Sequence, residues 1–257
     1  MTYRAPPEPV PVPPSEEIVG GKYMTITEHL VELRSRLLIA ALAVVGGLAV
    51  SAAFGNDIIA FLKEPAEGHQ VSFQFIEPFE FVVTYFRVSL LGGLVIAMPV
   101  IVYEALMFIS PGLTGKEKRW LYASTAGASL LFLGGVAFAY YVALPPSLNF
   151  LFNFGEDIAQ PNIRIGSYID FVTRLVFWTG VTFETPLIVM FLARFRIVSA
   201  GQLLRWWRIA IVVAFVIAAI VTPTIDPVTQ ALVAGPVIAL YFFGIVLAWL
   251  VQPRRPA

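Results

Sequence analysis

FEFVVTYFRVSLLGGLVIAMPVIVYEALMFI, residues 79–109, is apolar almost from end to end and is interrupted by only three charged side chains, Glu80, Arg87 and Glu104. In hydrocarbon a backbone has no water to bond, so a spanning segment must satisfy its own amides, which a helix does. At about 1.5 Å per residue this run measures roughly 46 Å as one helix, against about 30 Å of hydrocarbon. It must therefore tilt, kink or project beyond the bilayer. Pro99 supplies the kink site, because proline lacks the amide hydrogen that the helical ladder uses.

Outward from this run, apolar segments of spanning character recur at residues 37–54, 121–144, 169–193, 206–221 and 231–251. The pattern predicts an all-α integral membrane protein with six transmembrane helices. Composition agrees: of 257 residues, 58% are hydrophobic and 13% charged, whereas soluble domains are about a quarter charged. The mean hydropathy is +0.80. The fifth run is short, about 24 Å by the same rise, and the TPTIDP loop behind it is rich in proline. Short helices beside long ones predict an irregular, concave bundle with a recess and locally thinned lipid rather than a compact cylinder.

Lys and Arg in the short connections set the orientation. With the N-terminus cytoplasmic, that side holds Arg4, Lys22, Arg34, Arg36, Lys116, Lys118, Arg119, Arg194, Arg196, Arg205, Arg208, Arg254 and Arg255. The other side keeps Lys63 and Arg164, while Arg87 and Arg174 fall within spans. Both termini are then cytoplasmic, as an even number of spans requires. Residues 1–21, rich in Pro and Glu and without the apolar core of a signal peptide, read as a disordered tail. Residues 22–252 form the six-helix domain, and 253–257 a short basic tail.

Several function classes drop out. The formal net charge is zero, which gives no global attraction to nucleic acid. There is no cysteine, and His29 and His69 lie far apart and outside the spans, so neither a metal site nor a nucleophile–base pair for an intramembrane hydrolase is expected. HExxH, Walker and GxSxG motifs are missing, as is any repeat of 20–50 residues such as many secondary transporters carry. The chain reads as a non-enzyme without cofactors.

The informative residues are the charges. Glu184, in GVTFETPLIVMFLARFR, sits near the middle of the fourth run, where an ionisable group costs about 2.5–3.5 kcal/mol and usually faces a bundle interior or wetted cavity. Its bland alternative is a protonated side chain that only packs. Pro186 is expected to free backbone carbonyls and help admit water. Arg174 lies four residues after Asp170, and Arg87 seven after Glu80, so each is expected to reach the carboxylate on its own helix as a structural pair. On the cytoplasmic side, Thr25-x-x-Glu28 resembles a capping box leading into span one, and Glu28 and Glu32 share a face for which Arg36 can provide a cation. Thr114-x-x-Glu117 offers a second acidic helix start, for which capping and ligand binding stay equally open. Two such starts on one membrane face suit a basic peptide, since carboxylate and guanidinium pair bidentately.

HLVELRSRLL, EPFEFVVTYFRVSLLGGLVIAMPVIVYEALMFISPGLTGKEKRWL, FVTRLVFWTGVTFETP and TPTIDPVTQ, in that order across about residues 25–250, resemble the TatC family, the receptor component of the twin-arginine protein translocase. The resemblance implies a receptor in the plasma (inner) membrane that binds twin-arginine signal peptides of folded precursors at the cytoplasmic face. It also implies single-span partners of TatA and TatB type, self-association in a receptor complex, contact with membrane lipids, and export driven by the proton-motive force. By motif, it places signal-peptide binding at Glu32, Arg34, Phe108 and Glu117, and the family's intramembrane polar site at Glu184. Thr222 and Gln230 match partner-docking positions near the outer ends of spans five and six. Glu104 departs from the family pattern and adds an acidic group beside the first site. The alternative from another class is a proton-coupled transporter of a small solute using Glu184.

Overall fold

The computed structural model describes residues 17–19, 22–24, 26–67, 71–109, 115–153, 162–195, 197–222 and 227–251. Among these residues there are ten α-helices: α1 (Ile26–Ala53), α2 (Gly55–Lys63), α3 (Glu80–Ile109), α4 (Gly115–Phe138), α5 (Leu144–Asn153), α6 (Ile165–Phe183), α7 (Thr185–Arg194), α8 (Ala200–Arg205), α9 (Trp207–Val221) and α10 (Pro227–Val251). Short strands β1 (Glu17–Val19) and β2 (Lys22–Met24) pair antiparallel just before α1, within the region whose first 21 residues read as tail.

Among the described residues, five helical segments are long and apolar enough to cross a membrane: Thr27–Ala53, Glu80–Ile109, Tyr122–Asn153, Ile165–Arg194 and Thr229–Val251. The remaining expected span is α9, with only 15 residues. Multiple passes are thus present, and the uneven lengths expected from the sequence are a property of the folded chain.

The third span runs further than its sequence suggested. Pro145 and Pro146 look like a terminator, yet α4 passes through a π-helical segment, Ala139–Ala143, directly into α5. Proline cannot donate to the carbonyl four residues back, and the wider π turn lies where those carbonyls, at Tyr141 and Val142, would lose their partners. α3, by contrast, continues as one helix of 30 residues through Pro99.

Without a hydrophobic drive between helices in lipid, association depends on close packing, and small residues permit it. α1 packs chiefly on α3. A Cβ on Gly47 would lie 2.5 Å from the carbonyl oxygen of Gly93, so the two backbones touch at that point. Gly135 of α4 meets Gly180 of α6 in the same way, with 2.8 Å from a built Cβ to the Gly180 Cα.

A cap closes the end of the bundle that holds α2 and Glu80. Amphipathic α2 buries Ile59 and Leu62. The parallel pair β3 (Ser72–Gln74) and β4 (Asn162–Arg164) joins the loops before α3 and α6. Tyr85 donates to the carbonyl of Ala52, Tyr140 to that of Phe61 at 2.7 Å, and Tyr168 to that of Leu62 at 2.7 Å. These phenols, from three other segments, bond carbonyls in the last turns of α1 and α2 and lock the corner in place. The main apolar core, including Leu144, Leu148, Ile169, Val172 and Leu175, lies beneath this cap.

Candidate functional site

At the other end of α3, its last turns meet the first turns of α1. Helical spacing puts His29, Glu32 and Arg36 on one flank of α1, and each finds its counterpart there. Arg36 donates from Nη2 to Glu32 Oε1 at 3.1 Å and from Nη1 to Glu104 Oε2 at 2.9 Å. The guanidinium therefore joins an α1 carboxylate to an α3 carboxylate. One turn away the rings of His29 and Phe108 stack with centroids 4.4 Å apart and planes at 13°. Tyr103 of α3 stacks on Tyr122 of α4 at 5.8 Å, so a third helix adjoins the cluster.

The electrostatics of this cluster are unbalanced. Two carboxylates face one guanidinium, and the buried Oε2 of Glu32 has no hydrogen-bond partner. Leaving a buried acceptor unpaired costs about 1–3 kcal/mol, a penalty that an incoming donor would relieve. The geometry thus offers an anionic acceptor beside an aromatic stack. Arg34, two residues beyond Glu32, is exposed on a different flank of α1 and does not join the group. Glu117 belongs to the first turn of α4, but its side chain lies outside the described residues, as do Thr25 and Thr114 of the two cap motifs.

Glu184 occupies the joint between α6 and α7. It is 9% exposed, and its Oε1 has no hydrogen-bond partner. Among the described residues no ion pair reaches it. The chain turns tightly here, with the Glu184 amide donating to the Val181 carbonyl at 3.1 Å. Pro186 removes the donor that would ordinarily serve the Thr182 carbonyl, but that carbonyl is not left free as the sequence suggested. It accepts from Thr185 Oγ1 at 2.6 Å. A hydroxyl replaces the missing amide, and the carboxylate remains the group without a partner.

At the capped end, Glu80 is 4% exposed and fully engaged. Its Oε2 accepts from the amides of Ile76 at 3.0 Å and Glu77 at 3.3 Å, and from Arg164 Nε at 3.0 Å. Its Oε1 accepts from the Gly166 amide at 2.8 Å. One carboxylate thereby caps its own helix and the start of α6. The Arg164 guanidinium, hydrogen-bonded first to Glu77 and then to Glu80, holds its proton more tightly than usual.

This corrects one expectation. Arg87 does not pair with Glu80, whose oxygens are taken. It crosses to Asp170 on α6 at 2.8 Å, while Arg174 reaches the same carboxylate at 3.0 Å as its spacing predicted. The sequence signal for the Glu80 clamp is an acid immediately before a long apolar run, which spacing alone assigns to an ion pair with Arg87.

Thr222 and Gln230 lie at the facing ends of α9 and α10. Thr222 Oγ1 donates to the Ala218 carbonyl at 2.8 Å, and Gln230 Nε2 to the Phe215 carbonyl at 3.0 Å, so Gln230 ties the two helices together. Among the described residues no group of three or more His, Cys, Asp or Glu side chains could hold a metal.

Comparison with known proteins adds to this geometry. The family model of the Sec-independent protein translocase protein TatC matches residues 28–236. The chain is 42% identical over 240 residues to the chloroplastic Sec-independent protein translocase protein TATC of Arabidopsis thaliana, covering 93% of this chain and 70% of that protein. It is 37% identical over 230 residues to TatC of Synechocystis, covering 90% of each. The crystal structure of a twin-arginine translocase receptor, TatC, superposes with a TM-score of 0.77 at 36% identity, covering 87% of this chain and 99% of that one. A multi-pass helical bundle and matches that extend over most of the sequence lead to one conclusion: the chain belongs to the TatC family of Sec-independent protein translocase components, which are not enzymes.

Proposed function

We propose that the chain is the receptor of a twin-arginine translocase, reading the arginine pair of a signal peptide at the junction of α1, α3 and α4. The observation that carries this reading is the Glu32–Arg36–Glu104 group, with its surplus negative charge and unpartnered Glu32 Oε2, beside the His29–Phe108 stack. A guanidinium brings several N–H donors in a planar fork, which suits such an acceptor better than the point charge of a lysine. Glu117, opening α4 next to this junction, is the second acceptor. Arg34 acts from the outer flank of α1.

In this reading the chain crosses the membrane six times with both termini cytoplasmic, α9 being the short fifth pass, and the signal site faces the cytoplasm of a plasma (inner) membrane. Glu184 keeps part of the concave face polar, so that a signal hairpin or a polar residue of a partner helix can enter there. Thr222 and Gln230, at the α9–α10 turn, contribute to docking of single-span subunits of TatA and TatB type. Copies of the receptor associate, and the proton-motive force drives transport of the folded cargo.

Co-purification of the full chain with a twin-arginine signal peptide, compared with its Lys–Lys version, tests the central point. The arginine form should be retained in preference to the lysine form. Glu117→Ala should abolish retention, and Glu32→Gln should weaken it about tenfold, the effect of one charge-assisted hydrogen bond. Equal retention of both peptides, or unchanged retention after both substitutions, would overturn the reading.

A further inference from the structure

The Arg87–Asp170–Arg174 group lies toward the capped end of α3 and α6, away from the proposed signal site. Asp170 Oδ1 accepts from Arg87 Nη1 at 2.8 Å and its Oδ2 from Arg174 Nη2 at 3.0 Å. The two arginine side chains remain 39% and 57% exposed. One carboxylate thus orients two guanidiniums side by side without neutralising both, and each retains unused N–H donors. The group carries one excess positive charge.

Its depth and surroundings are specific. Arg87 lies seven residues into α3 from Glu80, and Asp170 five into α6 from Ile165, which is about 10 Å and 8 Å along the axes. In the proposed membrane arrangement that level is the boundary between headgroups and hydrocarbon. Beside the group is an open cleft of about 200 Å³ whose charged end is Arg87, Asp170 and Arg174, and whose other end is Leu90, Leu94 and Trp178. The adjoining hollow on the Arg164 side also contains Glu77 and Glu80, where an anion would be repelled. An anion is therefore favoured on the Arg174 side, where the apolar lining begins.

We propose that this α3–α6 cleft holds an anionic phospholipid, with Arg87 and Arg174 donating to the phosphate and an acyl chain lying over Leu90, Leu94 and Trp178. Arginine pairs with phosphate in a fork geometry, and two guanidiniums above an apolar lining suit an anionic headgroup with its acyl chain. Asp170 is a positioning residue, since it sets both guanidiniums at one level. The apolar end gives the cleft the shape of an amphiphile, which a soluble phosphate would not need.

Native mass spectrometry of the full-length protein, stripped of lipid and titrated with phosphatidylglycerol or phosphatidylcholine of identical acyl chains, provides the test. The parent should bind phosphatidylglycerol more tightly. R87Q/R174Q should bind one fewer phosphatidylglycerol per chain at concentrations that fill the parent site, with affinity down about tenfold or more. Because Arg87 bridges two helices, R174Q alone, at the more exposed side chain, serves as a second variant and should lower affinity in the same direction. Equal binding of the two lipids by the parent, or unchanged phosphatidylglycerol binding in R174Q, would overturn the proposal. Competition by soluble glycerol phosphate at matching concentration would place recognition on the phosphate alone and overturn the lipid assignment.

Discussion

Single side chains set the two extremes of this molecule, a carboxylate with both oxygens hydrogen-bonded and another with one oxygen unpartnered. Glu80 is the satisfied one, and its reach to α6 depends on Gly166 having no side chain. A Cβ there would lie 2.8 Å from Glu80 Oε1, in contact with the atom that the Gly166 amide must approach. Gly166→Ala should therefore displace the carboxylate and lower stability by about 1–3 kcal/mol, the range for an unsatisfied buried polar group. A thermal melt in detergent would read it, and an unchanged melting temperature would show that the clamp yields without loss. Glu184 is the opposite case. With no ion pair among the described residues and an unpartnered Oε1, it is held at a free-energy cost, so Glu184→Leu should raise the melting temperature. The same variant should reduce export of a folded twin-arginine reporter. A variant both destabilised and fully active would contradict the view that this carboxylate serves function at the expense of stability.

Elements meet in this bundle where glycines let backbones touch, and α1 shows the consequence most clearly. Its main contact is α3, and the Gly47–Gly93 crossing sits between the capped end and the Glu32–Arg36–Glu104 cluster. Gly47→Leu should push the helices apart, because the obstructing atom is the Gly93 carbonyl oxygen at 2.5 Å and a backbone cannot swing aside like a flexible side chain. Signal-peptide retention should then fall although no acceptor has been changed, and Gly46→Leu, at a position with open space, should leave it intact. Equal retention in both variants would separate the crossing from the site. Much of this was legible in the sequence at the level of elements. Apolar runs located the long helices, and i,i+4 spacing identified Arg36 with Glu32 and Arg174 with Asp170. What periodicity could not supply were contacts between distant segments. Arg87 chose Asp170 because Glu80 was already occupied by three backbone amides and Arg164, a fact set by the loop path rather than by spacing. The π segment before Pro145 and the Thr185 hydroxyl over Pro186 were likewise hidden, since each is a local repair of a signal that by itself reads as a break.

For the molecule as a whole, the uneven lengths of its helices impose a relation to the bilayer. α3 has 30 residues and α9 only 15. At about 1.5 Å per residue these are roughly 45 Å and 22 Å, and only the second falls short of about 30 Å of hydrocarbon. A long helix can adapt by tilting, whereas a short one forces the lipid to thin or its polar ends to sink. Gln230 fastens α10 to the Phe215 carbonyl of α9, so in the proposed six-pass arrangement the two helices meet this mismatch together. The thickness that suits the protein should thus be set by its shortest element rather than by the average of its spans. Reconstituted in bilayers of increasing acyl length, it should melt at its highest temperature near about 14 carbons and lose stability toward about 20 carbons. Lengthening α9 by one leucine-rich turn, four residues inserted after Val213, should move the optimum toward thicker lipid without altering the α1–α3 cluster, which is remote from it. If the parent melted at one temperature across the whole series, or if the insertion left the profile unmoved, α9 would not be the element that meets the bilayer, and the recess inferred from its shortness would lose its physical basis.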